Sequence, residues 1–218
     1  MVWLVSQTLV GDLVTLEPLT MAHCAALQEA IKEGEGWKVW YTNLPSPESM
    51  PAYIASALAM VEKGALAFAV RHNATGNIIG STRIYDVKPE HRRARIGYSW
   101  YEMSWRRTGV NTECKYLLLN HLFEQYNAIA VEFLTHYFNE ASRNAILRLG
   151  AKQDGILRNH QIMRDGTYRD TLVFSIIESE WPTVKRSLYH KMGKLETTQC
   201  FYSQSTPTVP KKAVVEST

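Results

Sequence analysis

Apolar and polar positions along this chain follow two rhythms, and the switches between them mark its elements. Residues 12–19 (DLVTLEPL) alternate with a period of two, which predicts a half-buried strand closed by Pro18. Thr20 can cap a helix reaching about Lys32, with Ala25, Ala26, Leu27, Ala30 and Ile31 on its apolar side. The loop GEGWKVWYTNLPSPESMP comes next, and a second helix is expected over residues 49–62 with Pro51 in its first turn. ALAFAVRH (65–72) and IIGSTRIYDV (78–87) read as a hairpin, and RIGYSWYEM (95–103) as another strand.

Past this strand the period changes to that of a helix. From Cys114 onward apolar residues fall at 114, 117, 118 and 122, widened by Tyr116, Leu119, Phe123 and Tyr126. Glu113, Lys115, Asn120 and Glu124 are expected to face mostly outward. AIAVEFLTHYF (128–138) is again strand-like, followed by a helix over 140–149 that Gly150 ends. QDGILRNHQIM and YRDTLVFSII flank an Arg164-Asp165-Gly166 turn, and a short helix follows Ser179. The order β-α-α-β-β-β-α-β-α-β-β-α predicts an α/β (α+β) fold. Its sheet is mixed, flanked by helices, with a parallel segment where strand–helix pairs sit in the middle. Residues 1–190 read as one domain. Residues 191–218, rich in Ser, Thr, Pro and Lys and without periodicity, read as a mobile tail.

Composition narrows the function classes. The chain has 218 residues and a net charge of +3, too mild a balance to make nucleic acid the main partner. Cys24, Cys114 and Cys200 are odd in number and widely spaced, so they offer neither a disulfide framework nor a CxxC metal pair. The histidines include no HExxH or paired spacing, so no metal is expected. No membrane-length apolar run and no signal-peptide pattern is present, which makes a cytoplasmic protein the expectation.

SWRRTGVNTECKYLLLNHLFE (104–124) concentrates donors at a helix mouth. Unsatisfied N–H groups, the positive end of the helix dipole, a glycine that admits φ > 0 and two arginines together make an anion site. Neither GxxxxGK[ST] nor GxGxxG is present, which disfavours a nucleotide P-loop and a dinucleotide fold. Cys114 falls on the apolar helix face and reads as an inert buried thiol.

Four segments in order, RRARIGYSW, this donor-rich stretch, FNEASRNAILRLGAKQDGILR and RDGTYRDTLVFSIIESEW, resemble the GNAT superfamily of acetyl-CoA-dependent N-acetyltransferases. Within it, the segments resemble the branch of the ribosomal-protein N-terminal acetyltransferases (RimJ/RimL-like). The resemblance spans about residues 9–188 and implies a mostly antiparallel sheet of about seven strands with a central, splayed parallel pair. It implies that Arg106, Arg107, Thr108, Gly109, Val110, Asn111 and Thr112 hold the CoA pyrophosphate. Asn111 stands where the family has Gly or Ala. Tyr101, Met103, Asn139, Ser142 and Arg143 are the further cofactor positions. Ser142 is the candidate proton donor to the departing thiolate, because Ile146 stands where many relatives carry a tyrosine. Candidate bases are Glu102, Glu132 and His136, each also readable as an ordinary strand residue. Trp37, Trp40, Tyr41 and Tyr168 are candidate acceptor contacts, and the Tyr168-Arg169-Asp170 triplet is structural, acceptor-facing or part of a dimer contact. The implied activity is acetyl transfer to a primary amine: a protein N-terminus, a small amine or an amino-acid derivative. The alternative is a CoA or acyl-CoA binding module with little turnover. Partners are acetyl-CoA and the amine, with no nucleic acid and no membrane, the chain being a monomer or a homodimer.

Overall fold

The computed structural model describes residues 3–194. Eight strands form one sheet: β1 (Leu9–Val10), β2 (Val14–Pro18), β3 (Leu66–His72), β4 (Ile78–Lys88), β5 (Arg93–Tyr101), β6 (Ala130–His136), β7 (Lys152–Ile162) and β8 (Tyr168–Ile177), in the order β1-β2-β3-β4-β5-β6-β8-β7. Every neighbouring pair is antiparallel except β5 and β6, which run parallel. The eighth strand, beyond the seven expected, is the two-residue β1, which pairs Leu9 with Leu16.

Helices α1 (Cys24–Lys32) and α2 (Met50–Val61) cover one face, where Leu27, Ile31, Met50 and Ile54 pack on Ala67, Ala69 and Trp100. Helices α3 (Val110–Asn120), α4 (Glu140–Leu149) and α5 (Trp181–Lys191) cover the other, where Cys114, Leu118, Leu149 and Leu188 pack on Phe68, Ile84, Ile96, Phe133 and Phe174. Each fully buried Leu, Ile or Phe contributes about 1.5–3 kcal/mol, so both helical layers are held chiefly by these apolar faces. At the entry to α1 the Thr20 N–H donates to His23 Nδ1 at 3.0 Å, and Gly150 leaves α4 at φ 103°, in the left-handed region that glycine adopts without strain.

Two charged residues of α3 lie inside rather than outside. Glu113 is 1% exposed because its carboxylate accepts the backbone N–H groups of Asp12, Leu13 (2.6 Å) and Val14 (2.9 Å) and pairs with Lys194 Nζ at 3.0 Å. Lys115 is buried with its ammonium on Ser99 Oγ and on Thr82 Oγ1 at 3.5 Å. Polar groups can occupy a core face when partners satisfy them there, and period alone does not reveal such partners. The described residues run past 190: α5 ends at Lys191, and Lys194 pairs with Glu113. The remainder of the expected tail, 195–218, lies outside the described residues. Among the described residues, no helix is long and apolar enough to cross a membrane.

Candidate functional site

The parallel pair is joined only at its start, through Arg93↔Ala130, Ala94↔Val131 and Arg95↔Glu132. Beyond it the strands diverge. A bulge in β5 drives this: Tyr98 adopts φ 52°, and the register with β4 slips between Ser81 and Arg83. Bulges bend a strand and increase its twist, so β5 leaves β6 while β6 stays paired with β8 up to His136↔Thr171. The result is a V whose mouth lies between Tyr101 and His136, with the β6-facing edge of β5 unpaired from Ile96 to Tyr101.

Glu132 sits at the closed end of this V, not at its mouth. It is held by the guanidiniums of Arg93 and of Arg95 (2.9 Å). Burial pushes its carboxyl up, but the two arginines outweigh burial and hold it below the usual carboxylate range. An ionised, doubly paired carboxylate makes a poor base, which removes Glu132 from that role. Glu102 lies at the mouth, where its N–H donates to Ile79 O at 2.7 Å and its side chain stays free of hydrogen bonds within the described residues.

From β5 a short 3-10 turn, Met103–Trp105, leads to α3. The N–H groups of Arg107, Thr108, Gly109, Asn111 and Thr112 make no hydrogen bond within the described residues, so the helix mouth is a cluster of free donors at the positive dipole end. Thr108 shapes the loop, its hydroxyl donating to Trp105 O at 2.7 Å and accepting from Val110 N at 3.3 Å. The left-handed residue is Arg107 (φ 61°), whereas Gly109 is helical at φ −67°. Gly109 therefore serves here by being small: a Cβ would meet the Leu13 side chain at 2.9 Å. Glu113 ties this mouth to the β1–β2 turn and so fixes the donors in place. Tyr101 turns its ring into the core beside the Cys114 thiol, leaving its main chain to line the V, while Met103 is exposed against Gly34. Burial pushes the Cys114 thiol up to about 12, which makes it inert.

The opposite bank of the mouth is the start of α4. Asn139 caps it, Oδ1 accepting from Ser142 N at 3.0 Å. The Ser142 hydroxyl makes no hydrogen bond within the described residues. Arg143 donates to Tyr137 O at 3.2 Å and lies over the Tyr137 ring. Ile146 is buried in the core and carries no proton to give.

At the end of β6 His136 is 3% exposed, with Trp40 at 5.2 Å, Phe138 at 5.9 Å and Tyr41 at 6.0 Å between ring centres. Its Nδ1 accepts the Phe138 N–H at 3.1 Å, so the neutral ring carries its proton on Nε2. Burial and then the nearby Arg169 pull its pKa below the ordinary histidine value, and Asp170 opposes them weakly. In this tautomer His136 presents a donor rather than a base. A cavity of about 440 Å³ lies at the closed end of the V, and one of about 790 Å³ beside His136 is lined by Trp40, Tyr137, Phe138 and Tyr168. Trp40, Tyr41 and Tyr168 thus gather at the mouth. Trp37 instead packs against the α1–α2 core.

Sequence reasoning missed Tyr85, whose ring lies across Gly97, and Arg83, which is 1% exposed. Both belong to strands whose alternation gives their face but not what they reach.

A splayed parallel pair with a donor-rich helix mouth on one bank is the arrangement the resemblance implies, and here an aromatic wall stands at its end. The model for the acetyltransferase (GNAT) domain matches residues 14–152. The chain belongs to the GNAT acetyltransferase family. It is 28% identical over 137 residues, 62% of this chain and 76% of the other, to the uncharacterized N-acetyltransferase YoaA of Bacillus subtilis (strain 168). A GCN5-related N-acetyltransferase from Brucella melitensis superposes with a TM-score of 0.76 at 27% identity, over 84% of each chain. Mycobacterium smegmatis RimJ, solved in complex with CoA-disulfide, gives 0.71 at 23% identity over 86% of this chain and 95% of that one, a likeness of fold.

Proposed function

We propose that this protein transfers an acetyl group from acetyl-CoA to a primary amine in a ternary complex. The observation that carries the reading is the V between β5 and β6, which opens directly onto the free N–H groups at the start of α3. Those donors and the exposed Arg106 and Arg107 suit a pyrophosphate in number and charge, and the unpaired edge of β5 suits an extended amide-bearing arm. Bound there, acetyl-CoA supplies an activated acyl carbon.

The chain's own groups would do the rest. The unpaired main chain of β5, from the bulge to Tyr101, offers N–H donors to the oxygen on which negative charge develops. The acceptor ammonium must lose a proton before it can attack, and Glu102 is the carboxylate at the mouth left free to take it, directly or through water. Nitrogen bonds to the acyl carbon, the carbon–sulfur bond breaks, and the thiolate leaves as the thiol once protonated. Ser142, whose hydroxyl makes no hydrogen bond within the described residues, is the proposed relay that passes a proton to the sulfur and takes one in turn from Glu102 or water. Asn139 acts through α4 as its cap, and Arg143 flanks it.

Acetyl-CoA titration by calorimetry, followed by thiol release across a panel of amines, tests the reading. Acceptor-dependent release with a matching acetylated product is the expected result. Tight binding without acceptor-dependent release would leave a CoA-binding module in its place.

A further inference from the structure

Arginines crowd the α1–α2 face of the sheet on both banks of the V. Arg93 and Arg95 on β5 are matched by Glu132 and Asp86. Arg83 on β4 and Arg169 on β8 have no carboxylate partner among the described residues. Arg83 is sealed in: Tyr53 lies 4.2 Å and Tyr98 4.4 Å from its guanidinium carbon, and Nη2 donates to Tyr53 O at 3.2 Å. Its Nε has no hydrogen-bond partner among the described residues. It is a fixed, uncompensated positive charge beneath Tyr98.

Arg169 is the accessible member of the pair. Strand alternation turns it to the opposite face of β8 from Tyr168 and Asp170, which line the 790 Å³ cavity. Its Nε donates to Thr171 Oγ1 at 2.9 Å, and the rest of its guanidinium makes no hydrogen bond within the described residues. It is half-buried, and its bond to Thr171, the register partner of His136, puts it at the mouth of the V, where its charge is felt by His136, Tyr85 and Tyr98. Tyr85 reaches this place from β4 because residue 97 is glycine; a Cβ there would meet its ring at 2.8 Å. The two phenol rings meet edge-on at 5.0 Å. Burial raises the Tyr85 phenol to about 12, so it stays a donor at neutral pH.

A half-buried guanidinium with free N–H groups, a protonated phenol within its electrostatic reach and a second guanidinium without a carboxylate partner under Tyr98 suit a planar or tetrahedral oxyanion. We propose that Arg169 and Tyr85 form an anion subsite for the acceptor, so that the amine acetylated carries a carboxylate or a phosphate. This rests on the acetyl-transfer reading above. With the anion on Arg169, beside His136 at the mouth, the amine enters the V a few bonds away.

The test compares acceptors that differ only in the anion: phenylalanine with phenylalaninamide, and aminoethyl phosphate with ethanolamine. Thiol release from acetyl-CoA is followed for wild type, Arg169→Gln, Arg169→Lys and Tyr85→Phe, with thermal midpoint and acetyl-CoA affinity reporting that each variant is folded. The acidic member of at least one pair should have a kcat/KM higher by roughly tenfold to a hundredfold, the range of a charge-assisted contact. Which pair shows it identifies the anion as carboxylate or phosphate. Arg169→Gln should collapse that ratio toward one, with Arg169→Lys and Tyr85→Phe in between. Neutral members matching the acids in wild type, or an unchanged ratio in folded Arg169→Gln, would overturn the subsite while leaving acetyl transfer standing. Acetyl-CoA binding with no release from any amine would overturn both.

Discussion

Lys115 carries a charge into the core, and removing it should stabilise the protein. The side chain is buried on α3 with only Ser99 and Thr82 hydroxyls as partners, and no carboxylate lies with it among the described residues. Burial pulls its pKa from an ordinary 10.5 down to about 8. The sign is opposite to that of a salt-bridged lysine. Between pH 8 and 10.5 the unfolded chain holds a proton that the folded chain has released, so stability rises with pH across that window. Below it both states are charged, and the folded state carries the desolvation cost in full. At about 1.36 kcal/mol per pH unit the difference amounts to roughly 3 kcal/mol. Lys115→Met removes the charge, while Thr82 and Ser99 remain satisfied by each other at 2.6 Å. After a discount of about 1–2 kcal/mol for the lost hydrogen bonds, the variant should be about 1–2 kcal/mol more stable than wild type near neutral pH. That advantage should shrink, and then invert, by roughly 3 kcal/mol in total once the solution is well above the lysine range. Urea unfolding of both proteins at a series of pH values measures it. A wild type–variant difference that stays constant with pH would refute the assignment of Lys115 as a buried, depressed lysine.

Gly109→Val should weaken CoA binding by at least an order of magnitude at little cost to the fold, since φ is −67° and the new Cβ meets only the end of Leu13; calorimetry with CoA measures it, and unchanged affinity would move the pyrophosphate elsewhere. Ser142→Ala should lower kcat by about tenfold or more with acetyl-CoA affinity nearly intact, as expected for loss of a proton donor; equal turnover would take Ser142 out of the chemistry. Glu113→Gln should cost about 3 kcal/mol or more in urea unfolding, because an amide cannot accept three backbone N–H groups and pair with Lys194.

The sheet and its helices were largely legible because period, glycine and proline report local geometry. The helix over 140–149 and the turn at Gly150 follow from such signals alone. The site was legible only where its chemistry sits in contiguous sequence. The stretch 106–112 emerged as a donor-rich mouth, yet the positive φ falls on Arg107 rather than Gly109, because loop closure and not residue type set that backbone. Glu113 and Lys115 read as outward-facing in sequence because their partners, the β1–β2 turn and the Ser99–Thr82 pair, come from distant parts of the chain. For the same reason Glu132, a free carboxylate in sequence, is a paired one in the fold. Arg169 stood out only as part of a triplet, and its unmatched charge becomes visible once β4, β5 and β8 are side by side.

Hydrogen–deuterium exchange with and without acetyl-CoA tests the central claim most directly. The account predicts new protection concentrated in residues 106–112, in the second half of β5 and at the start of α4, with β1–β3 unchanged. Protection that spared residues 106–112, or that fell mainly on the far edge of the sheet at β1–β3, would contradict it.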